Sequence, residues 1–324
     1  MVSVSVIMAV SKDNYSESLK SALNQTLADI EVICIDDNDI VNVTDSAVKV
    51  IKKDDSIDEV KGEYIYFLNP GDVLNKDTLE KAFRQAKGEG LDFIQITDED
   101  TFIGETYQFL KLRGKTFQMD MTRYTKLIRT DFIKKLNNIN SNDYLFFWEC
   151  VFNARKFAFI NLNQKFNKDK KDFDELAGLI NVSNEVFTKF KDYDHIGKFK
   201  FIIFDWRLEL LYDAYVNVTE ERKEEYYNLL KEDFTQMIYH WRFTDFAYDA
   251  NPINYLFFKD VVYSKDFEDF KRLMVQYELE LDSEEVKKEN EIIEKNISIL
   301  ERENSLITNS TSWKVTKPLR KLNK

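Results

Sequence analysis

The sequence is poor in cysteine and histidine, and this scarcity limits the kinds of site that it can build. Only two cysteines occur, Cys34 and Cys150, and each lies inside an apolar pattern, so both are expected to be buried thiols rather than a disulfide. The two histidines, His195 and His240, have no second histidine or cysteine at ligand spacing, which disfavours a zinc site. We therefore expect a protein of the reducing cytoplasm.

Positive charge and long apolar runs are also scarce. The chain has 46 basic and 58 acidic residues, a net charge of −12, which repels phosphate backbones and makes nucleic acid an unexpected partner. No apolar run approaches the ~20 residues of a membrane span, and the sequence enters its first strand without the apolar core of a signal peptide. We expect a cytoplasmic chain rather than a secreted or membrane-inserted one.

Residues 1–168 alternate between apolar, strand-like runs and helical or polar segments. This alternation is typical of a parallel sheet covered by helices, and the hydrophobic content of 44% supplies a sizeable core. The sequence therefore predicts an α/β domain whose strands are Val2–Val10, Glu31–Ile35, Val48–Ile51, Tyr64–Leu68, Leu91–Ile96 and Phe157–Leu162.

Two helices in this region have clear sequence signals. The first is predicted over Lys76–Lys87, with Asn75 as its cap and Gly88 and Gly90 at its end. The second is predicted over Asp143–Arg155 from its run of apolar and aromatic residues.

The rest of the chain is predicted to be helical. Residues 169–276 are rich in aromatic residues at helical spacing and form a helical appendage. Residues 277–309 have the heptad pattern of a short coiled coil, which would allow a homodimer, with apolar residues at Leu279, Val286, Ile293, Leu300 and Ile307.

Residues 310–324 form a basic tail. It carries five positive charges after Trp313 and no negative one. Trp313 and its basic neighbours could rest on an anionic membrane surface at the inner face of the membrane, or on a partner. A tail that docks on its own chain is the alternative.

Two carboxylates follow the second predicted strand directly. Asp36 and Asp37 come where Glu31–Ile35 ends, and ligands of open parallel sheets collect outside the carboxyl ends of strands. This placement favours a nucleotide site. The alternative is an Asx turn in which both side chains hold the following polar segment.

Four segments carry a wider resemblance: Ser5–Met8, Leu23–Thr26, Asp29–Ile33 and Asp36–Asp37. They resemble the amino-terminal end of family 2 glycosyltransferases, which use sugar nucleotides and have the GT-A fold. The resemblance implies that Asp37 accepts a hydrogen bond from the uracil ring with Asp36 beside it, and that Ala9, Val10 and Ser11 line the same crevice.

The segment Gly62–Leu74 is similar to the family's strand that ends in an Asp-x-Asp-Asp motif for metal and diphosphate. Here Asn69 and Gly71 replace the first two acidic positions, so Asp72 is the remaining carboxylate and a Mg²⁺ or Mn²⁺ site would be weakened. The alternative is a β-turn, because proline followed by glycine suits a type II turn. Turn and site are compatible.

The segment Asn140–Phe147 resembles the family's Glu-Asp pair at the start of a helix. The resemblance implies that Asp143 is the general base for the acceptor hydroxyl, with Asn142 in place of the usual glutamate. The alternative is that Asp143 only caps the helix.

The sequence also departs from the family between Asp37 and Gly62, where a longer segment with an Arg-Asn pair is expected. No arginine occurs before Arg84, so the cation that faces the diphosphate must come from elsewhere. The candidates are Lys12, Lys52, Lys53, Arg113, Arg123 and Arg129.

The resemblance implies an inverting glycosyltransferase that moves a sugar from a nucleotide donor, expected to be a UDP-sugar, to a glycan or lipid-linked acceptor in surface polysaccharide or glycoconjugate assembly. The alternative is a catalytically silent GT-A-like scaffold that dimerises or pairs with an active relative.

Overall fold

The computed structural model describes residues 2–10, 15–42, 45–52, 59–98, 106–107, 119–137, 139, 141–166, 170–190, 199–240, 252–275, 279 and 283. The strands are β1 Val4–Ala9, β2 Ile30–Ile35, β3 Val48–Ile51, β4 Tyr64–Phe67, β5 Phe93–Thr97, β6 Thr106–Tyr107, β7 Lys126–Arg129 and β8 Phe157–Asn161. The helices are α1 Tyr15–Leu23, α2 Thr78–Glu89, α3 Thr130–Ile133, α4 Asp143–Asn153, α5 Phe173–Phe190, α6 Phe199–Asn217, α7 Lys223–His240 and α8 Pro252–Tyr263.

The strands form one mixed sheet in the order β3-β2-β1-β4-β7-β5-β8-β6. β1 pairs in parallel with β2 and β4, and β2 pairs in parallel with β3. The carboxyl ends of β1, β2 and β4 therefore lie at one edge, and the ends of β2 and β4 are two strand spacings, about 10 Å, apart. The predicted α/β class is confirmed.

The antiparallel strand β7 lies between β4 and β5 and has no counterpart among the predicted strands. Its apolar signal is short because Lys126 and Arg129 flank it. Lys126 is nevertheless fully buried, since its Nζ donates to the carbonyls of Asp120 and Thr122 and to Thr125 Oγ1. Burial lowers the pKa of Lys126. A lysine with carbonyl partners can thus occupy the centre of a sheet.

The start of α2 differs from the prediction. Asp77, not Asn75, is at the N-cap position, and its side chain makes no capping hydrogen bond. Asn75 instead donates through Nδ2 to the carbonyls of Leu162 and Asn163. At the other end Gly90 alone terminates the helix, in the left-handed conformation with φ 65°.

The tertiary contacts divide the chain into two compact units, residues 1–218 and 219–324. The first contains the sheet together with α5 and α6, and the second contains α7 and α8. The predicted limit of the glycosyltransferase-like part near residue 168 stays a prediction, as does the functional separation of residues 169–276. The predicted coiled coil and the basic tail lie outside the described residues, apart from residues 279 and 283.

The predicted environment of the cysteines is confirmed. Cys34 on β2 and Cys150 on α4 are both buried free thiols. Burial raises the pKa of Cys34 to about 11, with a further contribution from Asp36. Of the helices in the described ranges, none combines the length and the apolar character that a bilayer crossing needs.

Candidate functional site

The turn after β2 is held together by Asp36. Its side chain is only 1% exposed, and it accepts hydrogen bonds from the backbone N–H groups of Asn38 at 3.1 Å and Val41 at 2.6 Å. Burial alone would raise the pKa of Asp36, but these N–H groups, that of Ile40 and the charge of Lys52 lower it overall. The Asx-turn alternative therefore describes Asp36, which stabilises the loop.

Asp37 differs from its neighbour because it is exposed at the carboxyl edge of the sheet. Ala9 is likewise exposed where β1 ends, whereas Val10 is buried and its N–H donates to Ile35 O at 2.8 Å. Ser11 lies outside the described residues. Ala9 at the end of β1 and Asp37 just after β2 are therefore both exposed at the carboxyl edge of the sheet.

Among the candidate cations, Lys52 lies at this turn. Its Nζ donates to Asp36 O and to Asp39 Oδ1, both at 2.8 Å. The hydrogen bond to Asp39 raises the pKa of Lys52. Arg129 instead pairs with Asp92 away from this edge, and Lys12, Lys53 and Arg113 lie outside the described residues.

The turn after β4 has the conformation that its sequence predicts. The N–H of Asp72 donates to Asn69 O at 3.0 Å, and Gly71 has φ 102°, which a type II turn requires at its third position. Asp72 is 3% exposed. The predicted β-turn is confirmed, and it is compatible with a binding role.

Side chains from distant parts of the chain fix this turn and the loop after it. Three of them lie on α1 or just after it, at spacings of three and four residues. Ser18 Oγ accepts from Gly71 N at 2.8 Å, Ser21 Oγ from Leu74 N at 3.1 Å, and Gln25 Oε1 from Leu79 N at 3.0 Å. The fourth, Gln164, accepts from Asn75 N and donates to Val73 O. The loop is therefore held from both sides.

Asp143 begins α4 and pairs with an arginine. Its Oδ1 accepts from Arg123 Nε at 2.5 Å, and its side chain is 27% exposed. The capping alternative is wrong for this residue, because Asn142 is the N-cap and its Oδ1 accepts from Leu145 N at 3.0 Å. The helix end is satisfied without the Asp143 carboxylate.

The electrostatics bring Asp72 and Asp143 into one region. Burial raises the pKa of Tyr124, and both carboxylates add to this effect while Arg123 opposes it. Tyr124 is tied to β4, because its carbonyl accepts from Tyr66 Oη at 2.7 Å. The predicted base and the carboxylate of the predicted diphosphate turn therefore both act on Tyr124, in the short 3-10 turn at residues 123–125.

Sequence reasoning missed Asp120. Its Oδ1 accepts from Thr122 N and Oγ1, and it contributes with Asp143 to the pKa of Tyr144, which burial raises to about 12. It also adds to the raised pKa of Tyr66, for which burial is the main cause. No local pattern marks Asp120, since it precedes the unpredicted strand β7.

The fit of a divalent cation depends on the carboxylate of Asp72. Within the described parts of the chain, no group of three or more histidine, cysteine, aspartate or glutamate side chains could hold a metal ion. Asp72 with Asn69 offers hard oxygen ligands but too few for a site made of protein alone. The residues fit only a cation that takes further ligands from a diphosphate and water.

Sequence comparison finds a distant relative among curated proteins. No family model matches the chain. The chain is 23% identical over 206 residues to a cholesterol galactosyltransferase of Borreliella burgdorferi. The match covers 49% of this chain and 58% of that protein, so it spans less than two thirds of the relative's length.

Comparison with solved structures finds TarS of S. aureus. The crystal structure of its residues 1–349 has a TM-score of 0.62 at 14% identity, and the match covers 86% of this chain and 92% of that one. The same fragment in complex with UDP-GlcNAc gives a TM-score of 0.63, and in complex with UDP 0.61. At this level of identity the similarity concerns the fold alone, and the chain has a GT-A-like fold.

Proposed function

We propose that this protein is an inverting glycosyltransferase that moves a sugar from a UDP-sugar to a hydroxyl acceptor. The observation that carries the proposal is that Arg123, which pairs with Asp143, lies over the ring of Phe67, the last residue of β4 before the Asn69–Asp72 turn, at the carboxyl edge of a GT-A-like sheet. The curated relative is a galactosyltransferase, and TarS has been crystallised with UDP-GlcNAc and with UDP, which supports a nucleotide-sugar donor.

Asp37 is the residue proposed to bind the nucleotide base. Its exposed carboxylate at the end of β2 can accept a hydrogen bond from the ring N–H of uracil. Asp36 shapes the turn that presents it, because backbone N–H groups already engage the Asp36 carboxylate. Ala9 and Val10 supply backbone at the floor of the crevice, and Ser11 is proposed to extend it.

The turn Asn69–Asp72 is proposed to face the donor diphosphate. Asp72 and Asn69 would hold Mg²⁺ or Mn²⁺ together with phosphate oxygens, and such a cation neutralises charge on a leaving diphosphate. The chain's own contribution is rigidity: Ser18 and the Gly71 φ of 102° fix the backbone where the diphosphate would lie. Lys52 Nζ donates to Asp36 O in the turn after β2 and would add positive charge there.

Asp143 is proposed to take the proton of the acceptor hydroxyl. A general base must be able to reach solvent-borne substrate, and the Asp143 side chain, 27% exposed beside Arg123, meets this requirement. Attack by that hydroxyl on the anomeric carbon, with departure of UDP from the opposite face, inverts the configuration.

The acceptor is proposed to be a glycan or a lipid-linked sugar of the kind used in surface polysaccharide assembly. Contact of the basic tail with a membrane, dimerisation through residues 277–309 and a cytoplasmic location all remain predictions. The scaffold alternative depends on that same coiled coil, which lies outside the described residues.

Calorimetric titration of UDP, with and without Mn²⁺, tests the donor site. We expect metal-enhanced binding to the wild-type chain, loss of binding in Asp37→Ala, and loss of the metal effect in Asp72→Asn. Asp131→Asn is the matched control, because Asp131 is an exposed aspartate in the first turn of α3. Absence of UDP binding at millimolar concentration, or equal binding by all variants, would contradict the proposal.

A further inference from the structure

Arg123 makes hydrogen bonds to the proposed base and to the backbone beside it. All three of its nitrogens donate: Nε to Asp143 Oδ1 at 2.5 Å, Nη1 to Ile139 O at 2.9 Å and Nη2 to Ser141 O at 2.6 Å. Its side chain is 15% exposed. The two carbonyls belong to the segment that leads into α4, so the guanidinium is tied to the backbone that carries Asp143.

The aromatic neighbours of Arg123 restrict the guanidinium further. Its Cζ lies 4.8 Å from the ring centroid of Phe146 and 5.6 Å from that of Phe67. Phe146 is on α4, and Phe67 is the last residue of β4, directly before the proposed diphosphate turn. Arg123 therefore joins the strand that carries the diphosphate turn to the helix that carries the base.

The contacts of Asp143 are one-sided. Arg123 engages Oδ1, whereas Oδ2 has no hydrogen-bond partner among the described residues. Both α4 and the guanidinium are fixed, so the carboxylate has little freedom to rotate. In this partly exposed side chain, Oδ2 is then the atom that an acceptor hydroxyl can approach.

We infer that Arg123 is a positioning residue for the glycosyl transfer. It holds Asp143 through Oδ1 so that Oδ2 points to the acceptor hydroxyl and accepts its proton, while the guanidinium itself does not touch donor or acceptor. The inference rests on the proposed function, because it assigns Asp143 the role of base.

Steady-state kinetics of Arg123→Gln and Arg123→Ala, with a UDP-sugar and acceptor that the wild type uses, test this role. We expect kcat to fall about 100-fold in both variants, since a misplaced base loses roughly this factor. The KM for the donor and the UDP affinity should stay within about twofold, because the donor contacts are made by other residues.

Chemical rescue distinguishes positioning from general loss of structure. We expect guanidinium at non-denaturing concentration to raise the kcat of Arg123→Ala about tenfold and to leave the kcat of Asp143→Ala unchanged. Arg129→Gln is the matched control, because Arg129, the last residue of β7, also pairs with an aspartate but lies away from the site. Its kcat per folded molecule should equal that of the wild type.

The outcomes separate this inference from the proposed function. An active wild type whose Arg123→Gln variant keeps kcat, or loses UDP affinity as strongly as it loses kcat, overturns the positioning role alone. A wild-type chain that neither binds UDP nor transfers sugar overturns the proposed function and the positioning role with it. Circular dichroism and UDP binding show that the variants are folded.

Discussion

Two arginine–aspartate pairs in the same unit have different surroundings. In the Arg129–Asp92 pair both carboxylate oxygens are engaged, Oδ1 by the arginine and Oδ2 by the backbone N–H groups of Arg155 at 2.6 Å and Lys156 at 3.1 Å. The Asp92 side chain is 4% exposed. In the Arg123–Asp143 pair one oxygen is engaged and the carboxylate is 27% exposed.

The difference separates a structural carboxylate from one that can react. Asp92 connects β7 to the start of β8, and removing any of its partners leaves a buried polar group unsatisfied. Asp143 is held through Oδ1 only, and its side chain is partly exposed. The same two residue types thus stabilise the fold in one place and, in the proposed mechanism, present a proton acceptor in the other.

The largest effect that separates the pairs is expected from Asp143→Asn. An amide cannot take the acceptor proton, so kcat should fall by about 10²–10⁴-fold, while the free energy of unfolding changes by less than about 1 kcal/mol. Turnover of a UDP-sugar and urea denaturation measure the two quantities. Asp131→Asn serves as the control, and unchanged kcat in Asp143→Asn would assign the base elsewhere.

The reverse result is expected from Asp92→Asn. Replacing a buried carboxylate that has an arginine and two N–H partners should lower the free energy of unfolding by about 2–3 kcal/mol. The kcat per folded molecule should not change, because Asp92 lies away from the site. Urea denaturation tests this, and a stability equal to that of the wild type would show that the pair is not structural.

Asp36 extends the comparison to a buried aspartate whose partners are mainly backbone N–H groups. Its pKa is lowered from the ordinary 3.8, so its contribution to stability is present above that value and is lost as the pH falls through the folded-state pKa. We expect wild-type stability to fall more steeply than that of Asp36→Asn between about pH 5 and about pH 3. Denaturation midpoints along that range measure it; parallel curves would contradict the assignment.

The smallest effect is expected where a neutral hydroxyl, rather than an arginine, fixes the site. Ser18→Ala removes the acceptor for Gly71 N–H, which should cost about 1 kcal/mol of stability and raise the donor KM a few-fold because the diphosphate turn loosens. Ser16→Ala is the matched control, since Ser16 is exposed on the same helix. Equal donor KM values in the two variants would show that Ser18 does not position the turn.

Much of the sheet could be predicted from local patterns, and the exceptions have physical causes. The predicted strand Val48–Ile51 matches β3 residue for residue, and the turn at Asn69–Asp72 follows from its Pro-Gly pair. β7 could not be found, because the burial of Lys126 depends on carbonyls presented by a loop that the pattern does not describe. Asp120 was missed for the same reason.

The alternatives for the candidate site were decided by partners, not by residue type. Sequence allowed Asp143 to be a cap or a base, and the structure gives the cap to Asn142, one residue earlier. The Asx-turn alternative placed the side chains of both Asp36 and Asp37 in one turn, whereas the structure buries Asp36 in that turn and exposes Asp37. A shift of one residue changes which way a side chain points, and local propensity does not register that difference.

The sequence by itself determined most of the strands that form the sheet, the strand ends that carry Asp37 and Asp72, and the turn after β4, because apolar periodicity and the backbone preferences of proline and glycine are local properties. The tertiary structure alone decided what each aspartate contacts. Asp143 meets an arginine 20 residues away and Asp92 one 37 residues away. Such pairings depend on how strands are ordered in the sheet, since only the packed fold brings residues so distant along the chain within hydrogen-bond distance.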